Sequence, residues 1–120
     1  MELQYERGDI VSVPNPYAAD KPRSAVVLTD SRRPAHDDGN PRYTIVLLTG
    51  ADEFEGHDWT VTLNRDSATK SGYPALLKDS FVEPWATYVV RQNTIRDAHT
   101  VLTADAMEKI AKSYVRMILK

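Results

Sequence analysis

Trp59, Val61 and Leu63 alternate with Thr60 and Thr62, a period of two that predicts a strand with one buried face. Ile10 to Val13 is β-branched and follows Gly8-Asp9, which marks a strand start. Ser24 to Thr29 contains Ala-Val-Val-Leu, and Arg42 to Thr49 contains Tyr-Thr-Ile-Val-Leu-Leu. Such near-continuous apolar runs suit buried strands. Ser80 to Val82 and Thr87 to Val90 predict two more, divided by Pro84, whose missing N–H implies a bend or a sheet edge. Between the runs lie loops of Pro, Gly, Asn and Asp, including Pro14-Asn15-Pro16, the stretch 30–41 and a long connection from about Asn64 to Asp79. Long connections of this kind commonly carry function.

The period changes near the C-terminus. Thr103 is placed to cap a helix, with Asp105 and Glu108 in its first turns, where the helix dipole favours acids. Met107, Ile110, Ala111, Tyr114, Ile118 and Leu119 recur at helical spacing and predict an apolar stripe against a sheet. Several short strands followed by one helix predict a small antiparallel barrel of mainly β, α+β class. The 120 residues suffice for a single domain and one core.

Composition narrows the chemistry. The chain has no cysteine, which excludes disulfides, thiolate nucleophiles and cysteine-ligated zinc. No apolar run approaches the ~20 residues of a membrane helix, and the first residues lack a secretory core, so a cytoplasmic protein without a membrane partner is expected. His36, His57 and His99 show no metal-ligand spacing, and neither a metal nor a cofactor is expected. The formal net charge of −2 argues against nucleic-acid binding, which draws on basic surfaces. Charge is uneven, however. Lys21, Arg23, Arg32, Arg33 and Arg42 fall in one stretch, while Asp52, Glu53, Glu55 and Asp58 form an acidic cluster. A basic face on a slightly acidic protein is compatible with that distribution.

Several segments, in order, resemble the MazF/PemK-like toxin family. Arg7-Gly8-Asp9-Ile10-Val11 is similar to its opening strand, and Arg23-Ser24-Ala25-Val26-Val27-Leu28 to its Arg-Pro-Ala-Val-Val-Leu. Ile45-Val46-Leu47-Leu48-Thr49 resembles a strand ending on threonine, and Leu77-Lys78-Asp79-Ser80-Phe81-Val82 its Leu-x-x-Asp-Ser-Val-Val. Leu102-Thr103 matches the start of its last helix. Ser24 departs from the family's common proline, and the loop 30–41 is longer than usual. Around Glu83-Pro84-Trp85 the family often shows Asp-Gln and a basic residue; the match is poor and assigns Glu83 no catalytic role.

The resemblance implies an SH3-like barrel of the MazF/PemK/CcdB kind with a C-terminal helix. It also implies a toxin that cuts single-stranded RNA without a metal, forms a homodimer and is neutralised by an antitoxin protein. The cleavage pair it implies is Arg23 and Thr49. In that chemistry the RNA 2′-hydroxyl attacks the adjacent phosphorus. An arginine fork suits the charge that develops on the non-bridging oxygens, and a threonine hydroxyl can donate to the phosphate. Taken alone, an arginine before a strand is ordinarily solvated and a threonine ending one reflects β-propensity; the ordered match is what raises both. Tyr17, Lys21, Arg32, Arg33, His36 and Arg42 are expected to contact RNA, with Tyr17, and after it Trp85, suited to stacking on bases. Trp59 is expected in the core. The alternatives are a gyrase-poisoning toxin of the same fold, which lacks nuclease activity, and a relative that binds RNA without cutting it.

Overall fold

The computed structural model describes residues 3–29 and 40–119. Its strands are β1 (Asp9–Asn15), β2 (Ala18–Thr29), β3 (Arg42–Thr49), β4 (Val61–Leu63), β5 (Ser80–Arg91) and β6 (Ala98–Val101). A 3-10 turn spans Gln92–Thr94, and a single helix, α1, spans Ala104–Leu119. The strands form one sheet in the order β4-β5-β3-β2-β1-β6, with every neighbouring pair antiparallel. This is the mainly β architecture, with one terminal helix, that the sequence pattern predicts.

The two apolar runs are continuous because the middle of the sheet is covered on both faces. Val26, Val46 and Leu48 pack with Met107 and Ile110 of the helix. Their chain neighbours Ala25, Val27, Ile45 and Leu47 point the other way and pack with Val11, Val13, Tyr43 and Ile95 inside the curl of the sheet. Tyr43 is fully buried there, and its hydroxyl donates a 2.5 Å bond to Oε1 of Gln92. The Gln4 amide donates to the same tyrosine oxygen, which fastens the N-terminal segment across the curl.

The sheet curls until its two edges approach. The segment after β4 supplies the join: Thr69 bridges Leu102, Lys70 donates its amide to the Val101 carbonyl, and Thr103 donates to that of Ala68. The connection from Asn64 to Asp79 is thus part of the barrel wall. Gly8 sits at the same junction with φ +97°, a conformation costly for any residue with a Cβ.

Three elements differ from the sequence expectation. β6 was not predicted, because Ala98 and His99 are exposed and only Thr100 is buried, leaving no hydrophobic signature. β2 begins six residues before Ser24, since its first half is held by hairpin pairing with β1 rather than by burial. The two strands expected around Pro84 are one strand, β5, with a broken ladder. Val46 faces Thr87 but Leu48 faces Val82, so two steps along β3 are matched by five along β5. Residues 83–86 stand against Leu47 alone and form a bulge at Pro84, where the lost N–H would otherwise be missed.

Thr103 caps α1 as expected: the Ala106 amide donates to its Oγ1 at 3.1 Å. The apolar stripe is shorter than predicted. Ala106, Met107, Ile110 and Ser113 are buried, but Ala111 is exposed, and Ile118 and Leu119 are 74% and 81% exposed. The helix packs most closely on β4 and β5, and its last turn is exposed. Among the described residues no helix is long and apolar enough to cross a membrane.

Candidate active site at the ends of β2 and β3

Arg23 and Thr49 meet because of strand register. Ala25 faces Leu47 across the β2–β3 ladder, and one pleat further along each strand stand Arg23 and Thr49. Both therefore lie on the face that carries Ala25, Val27, Ile45 and Leu47, at the end where that apolar surface stops. Arg23 is half-buried, and its Nη2 donates a 3.2 Å bond to the Leu48 carbonyl oxygen, the atom group immediately before Thr49. Thr49 Oγ1 accepts the Ala51 amide at 3.1 Å, which turns the chain sharply after β3 and leaves the hydroxyl proton available to a ligand.

The bulge in β5 adds a carboxylate. Phe81 faces Thr49, and Glu83 follows two residues on, at the start of the bulge. Burial raises the Glu83 carboxyl above its ordinary value, and the nearby Glu53 carboxylate adds to the rise; Arg23 and His57 act against it. Glu53, Arg23 and His57 are thus near enough to Glu83 to act on its charge, and His57 belongs to a group of rings. His57 lies edge-on to Trp59 and Trp85, at 5.2 and 5.1 Å between centroids, and Phe54 meets Trp85 at 5.4 Å. Trp59 is half-buried in this cluster rather than enclosed in the core. Trp85 is 40% exposed, as a stacking residue must be. The bulge itself is tied down. Thr87 Oγ1 donates to the Pro84 carbonyl at 2.6 Å and accepts the Tyr114 hydroxyl, so the helix holds the segment that aims Glu83.

Tyr17 stands at the β1–β2 hairpin tip, 77% exposed, with its amide donating to Asn15 Oδ1. Its hydroxyl lies 2.8 Å from that of Tyr88; the hydrogen bond raises the Tyr88 phenol above its ordinary value, while Arg23 acts in the opposite direction. Tyr17, Tyr88 and Arg23 are thus neighbours. Lys21 is exposed two residues before Arg23 on the same strand. Arg42 is placed elsewhere: it begins β3, seven residues and roughly 23 Å from Thr49, and donates to the Asn40 carbonyl. Arg32, Arg33 and His36 lie outside the described residues.

A cleft of about 440 Å³ opens beside Thr49 towards the other face of the sheet. It is walled by Ile10, Leu48, Leu76 and Pro74 and carries Ser24, Lys78 and His99. Among the described residues no three His, Cys, Asp or Glu side chains are grouped so as to hold a metal ion.

The fold is shared with an endoribonuclease. A solved structure described as an endoribonuclease in complex with its cognate antitoxin, from a mycobacterial species, superposes with a TM-score of 0.62. The match covers 98% of this chain and 95% of that one at 14% sequence identity, a likeness of architecture rather than of sequence. No family profile matches the chain, and no curated protein matches it in sequence.

Sequence reasoning assigned Glu83 no catalytic role because its match to the family was poor, considered His99 without placing it, and gave Lys78 no role. The signal for Glu83 was the proline after it, which marks a bulge, and bulges re-aim side chains. Lys78 precedes Asp79-Ser80 in a segment read only for its family likeness, and His99 lies on the strand that pattern did not predict.

Proposed function

We propose that the chain is a toxin-class endoribonuclease that cuts single-stranded RNA through its own 2′-hydroxyl, without a metal or cofactor. The observation that carries this reading is the register of β2 and β3, which sets Arg23 beside Thr49 on one face. The 2′-oxygen attacks phosphorus, the bond to the 5′-oxygen breaks, and the products are a 2′,3′-cyclic phosphate and a 5′-hydroxyl. Arg23 holds the non-bridging oxygens with its planar fork, and the Thr49 hydroxyl donates to the same phosphate. Glu83, whose raised pKa brings it nearer to the operating pH, accepts the proton from the 2′-hydroxyl. The leaving oxygen takes its proton from solvent. Tyr17 and Lys21, beside Arg23, guide the RNA, with Arg32 and Arg33 contributing positive charge and His36 a further contact from the connection to β3, while Arg42, at the far end of β3, would meet only a more distant part of the strand.

Two partners follow on this reading: an antitoxin protein, supported by the mycobacterial neighbour solved with its cognate antitoxin, and a second copy of the chain, which the family resemblance implies. Its place of action on this reading is the cytoplasm, where cellular RNA lies. The gyrase-poisoning alternative needs neither a phosphate-binding arginine nor a carboxylate beside it, so the Arg23–Thr49–Glu83 grouping favours cleavage. The deciding experiment incubates purified protein with a mixed-sequence RNA in excess EDTA. Cleavage with 5′-hydroxyl and cyclic-phosphate ends is expected. A requirement for added divalent metal would overturn the mechanism, and intact RNA would overturn the function.

A further inference from the structure

The cleft beside Thr49 has a charge census unlike the rest of the chain. The protein has 17 acids against 15 lysines and arginines, yet the cleft lining contains Lys78 and His99 and no carboxylate. Asp79, next in sequence, is directed away, its Oδ1 accepting the Arg65 amide at 2.9 Å. The walls are largely apolar, from Ile10, Leu48, Pro74 and Leu76. The volume falls within the ~300–1,000 Å³ typical of small-molecule sites.

Two of its hydroxyls are already used. Thr100 Oγ1 donates to the Pro74 carbonyl at 2.5 Å, and Ser80 Oγ to the Lys78 carbonyl at 3.0 Å; both shape the loop rather than face a ligand. Ser24 is different. It occupies the position where the sequence departs from the proline of the family it resembles, and it adds a hydroxyl to the lining. Lys78 is held close by the absence of a side chain at Gly50. A Cβ there would overlap Cε of Lys78 and lie 2.6 Å from Nζ, so the lysine lies across the backbone immediately after Thr49.

We infer that this cleft binds one nucleotide of the RNA, next to the bond being cut, with its base between the apolar walls and its phosphate on Lys78 and His99. This rests on the endoribonuclease reading and shares only Thr49 with the proposed cleavage group. An apolar slot whose lining holds a lysine and a histidine and no carboxylate fits a base with an attached phosphate. Ser24 then offers the base edge a hydroxyl that a proline could not.

The test is binding of the four ribonucleoside 5′-monophosphates and inorganic phosphate, followed by calorimetry and by the ring resonances of His99. At least one monophosphate should bind about tenfold or more tightly than phosphate and shift His99. Lys78→Ala should weaken that binding by about tenfold or more, the scale of a lost hydrogen bond to a charged group. Gly50→Ala should act in the same direction by displacing the ammonium. Melting curves verify that both variants are folded, and Lys78→Ala should raise KM for RNA more than it lowers kcat. Equal affinity for phosphate and all monophosphates, or unchanged affinity in Lys78→Ala, overturns the assignment. So does a glutamate-rich peptide that binds the cleft more tightly than any nucleotide, which would give the site to a protein partner. Monophosphate binding without RNA cleavage would leave the cleft standing and remove the nuclease reading; normal cleavage without monophosphate binding would do the reverse.

Discussion

The Nη2 of Arg23 donates a 3.2 Å hydrogen bond to the carbonyl oxygen of Leu48, one residue before Thr49. That bond fixes the guanidinium at the end of β3 while leaving its other N–H groups for a phosphate. An interaction aimed at charge that appears only during attack lowers the barrier more than it tightens binding. Arg23→Ala should therefore reduce single-turnover cleavage by at least about 10²–10³, with RNA affinity and melting temperature largely retained. Arg23→Lys keeps the charge but loses the fork and should still be impaired. Wild-type cleavage by folded Arg23→Ala would remove the arginine from the chemistry.

Thr49→Val is a near-isosteric probe of the hydroxyl. Thr49 Oγ1 accepts the Ala51 amide, so the substitution also frees one exposed backbone donor, a small cost at a solvated turn. Cleavage should fall by a smaller factor than in Arg23→Ala, and Thr49→Ser should recover most of it. A serine variant as slow as the valine variant would mean that the methyl group, not the hydroxyl, matters.

Much of this arrangement was legible in the sequence, for identifiable reasons. The runs at Ala25–Leu28 and Ile45–Leu48 are apolar at every position because two packing layers meet on the central strands, and only a sheet covered on both faces needs that. Thr103 announced its helix through its cap. Arg23 and Thr49 were singled out by the ordered family resemblance, since pattern alone makes the one a solvated residue and the other an ordinary strand end. What escaped was structure made by pairing rather than burial: the exposed edge strand β6, the first half of β2, and the continuity of β5 through the bend expected at Pro84. None of these leaves an apolar period. The overextended helical stripe has the opposite origin, since apolar residues at the right spacing continue after the sheet beneath them has ended.

Gly8 provides a control away from the site. Its φ of +97° disfavours any Cβ, although the space around it is open, with the nearest atoms of Leu102 and Met107 at 3.7 Å. Its amide and carbonyl join β2 to the start of α1 through Val27 and Leu102. Gly8→Ala should thus destabilise the fold by about 1–2 kcal/mol through backbone strain alone. Thermal or urea unfolding would register the loss, while cleavage by the folded fraction should be unchanged. No loss of stability would mean that the junction adopts another backbone conformation.

Glu83 separates activity from stability. Burial, reinforced by Glu53, raises its carboxyl pKa in the folded chain, with Arg23 and His57 opposing the rise. A base must be ionised to accept the 2′-hydroxyl proton, so kcat/KM should fall as pH drops through this raised value. Glu83→Gln should abolish that acidic limb and lower the rate by about 10²–10⁴, the usual contribution of a general base. The effect on folding has the opposite sign. A carboxyl whose pKa is higher folded than unfolded favours the fold while protonated; that contribution is complete below the unfolded value and is lost as pH rises through the folded one. At neutral pH the charged Glu83 is therefore a burden on the fold, and neutral Gln relieves it. Glu83→Gln should melt at a slightly higher temperature than wild type near pH 7, with the difference closing at acidic pH. A pH–rate profile and melting curves on both proteins check the two halves together. An acidic limb that persists in Glu83→Gln would assign the base to another group, and a lower melting temperature at neutral pH would show that the carboxylate stabilises the bulge instead of straining it.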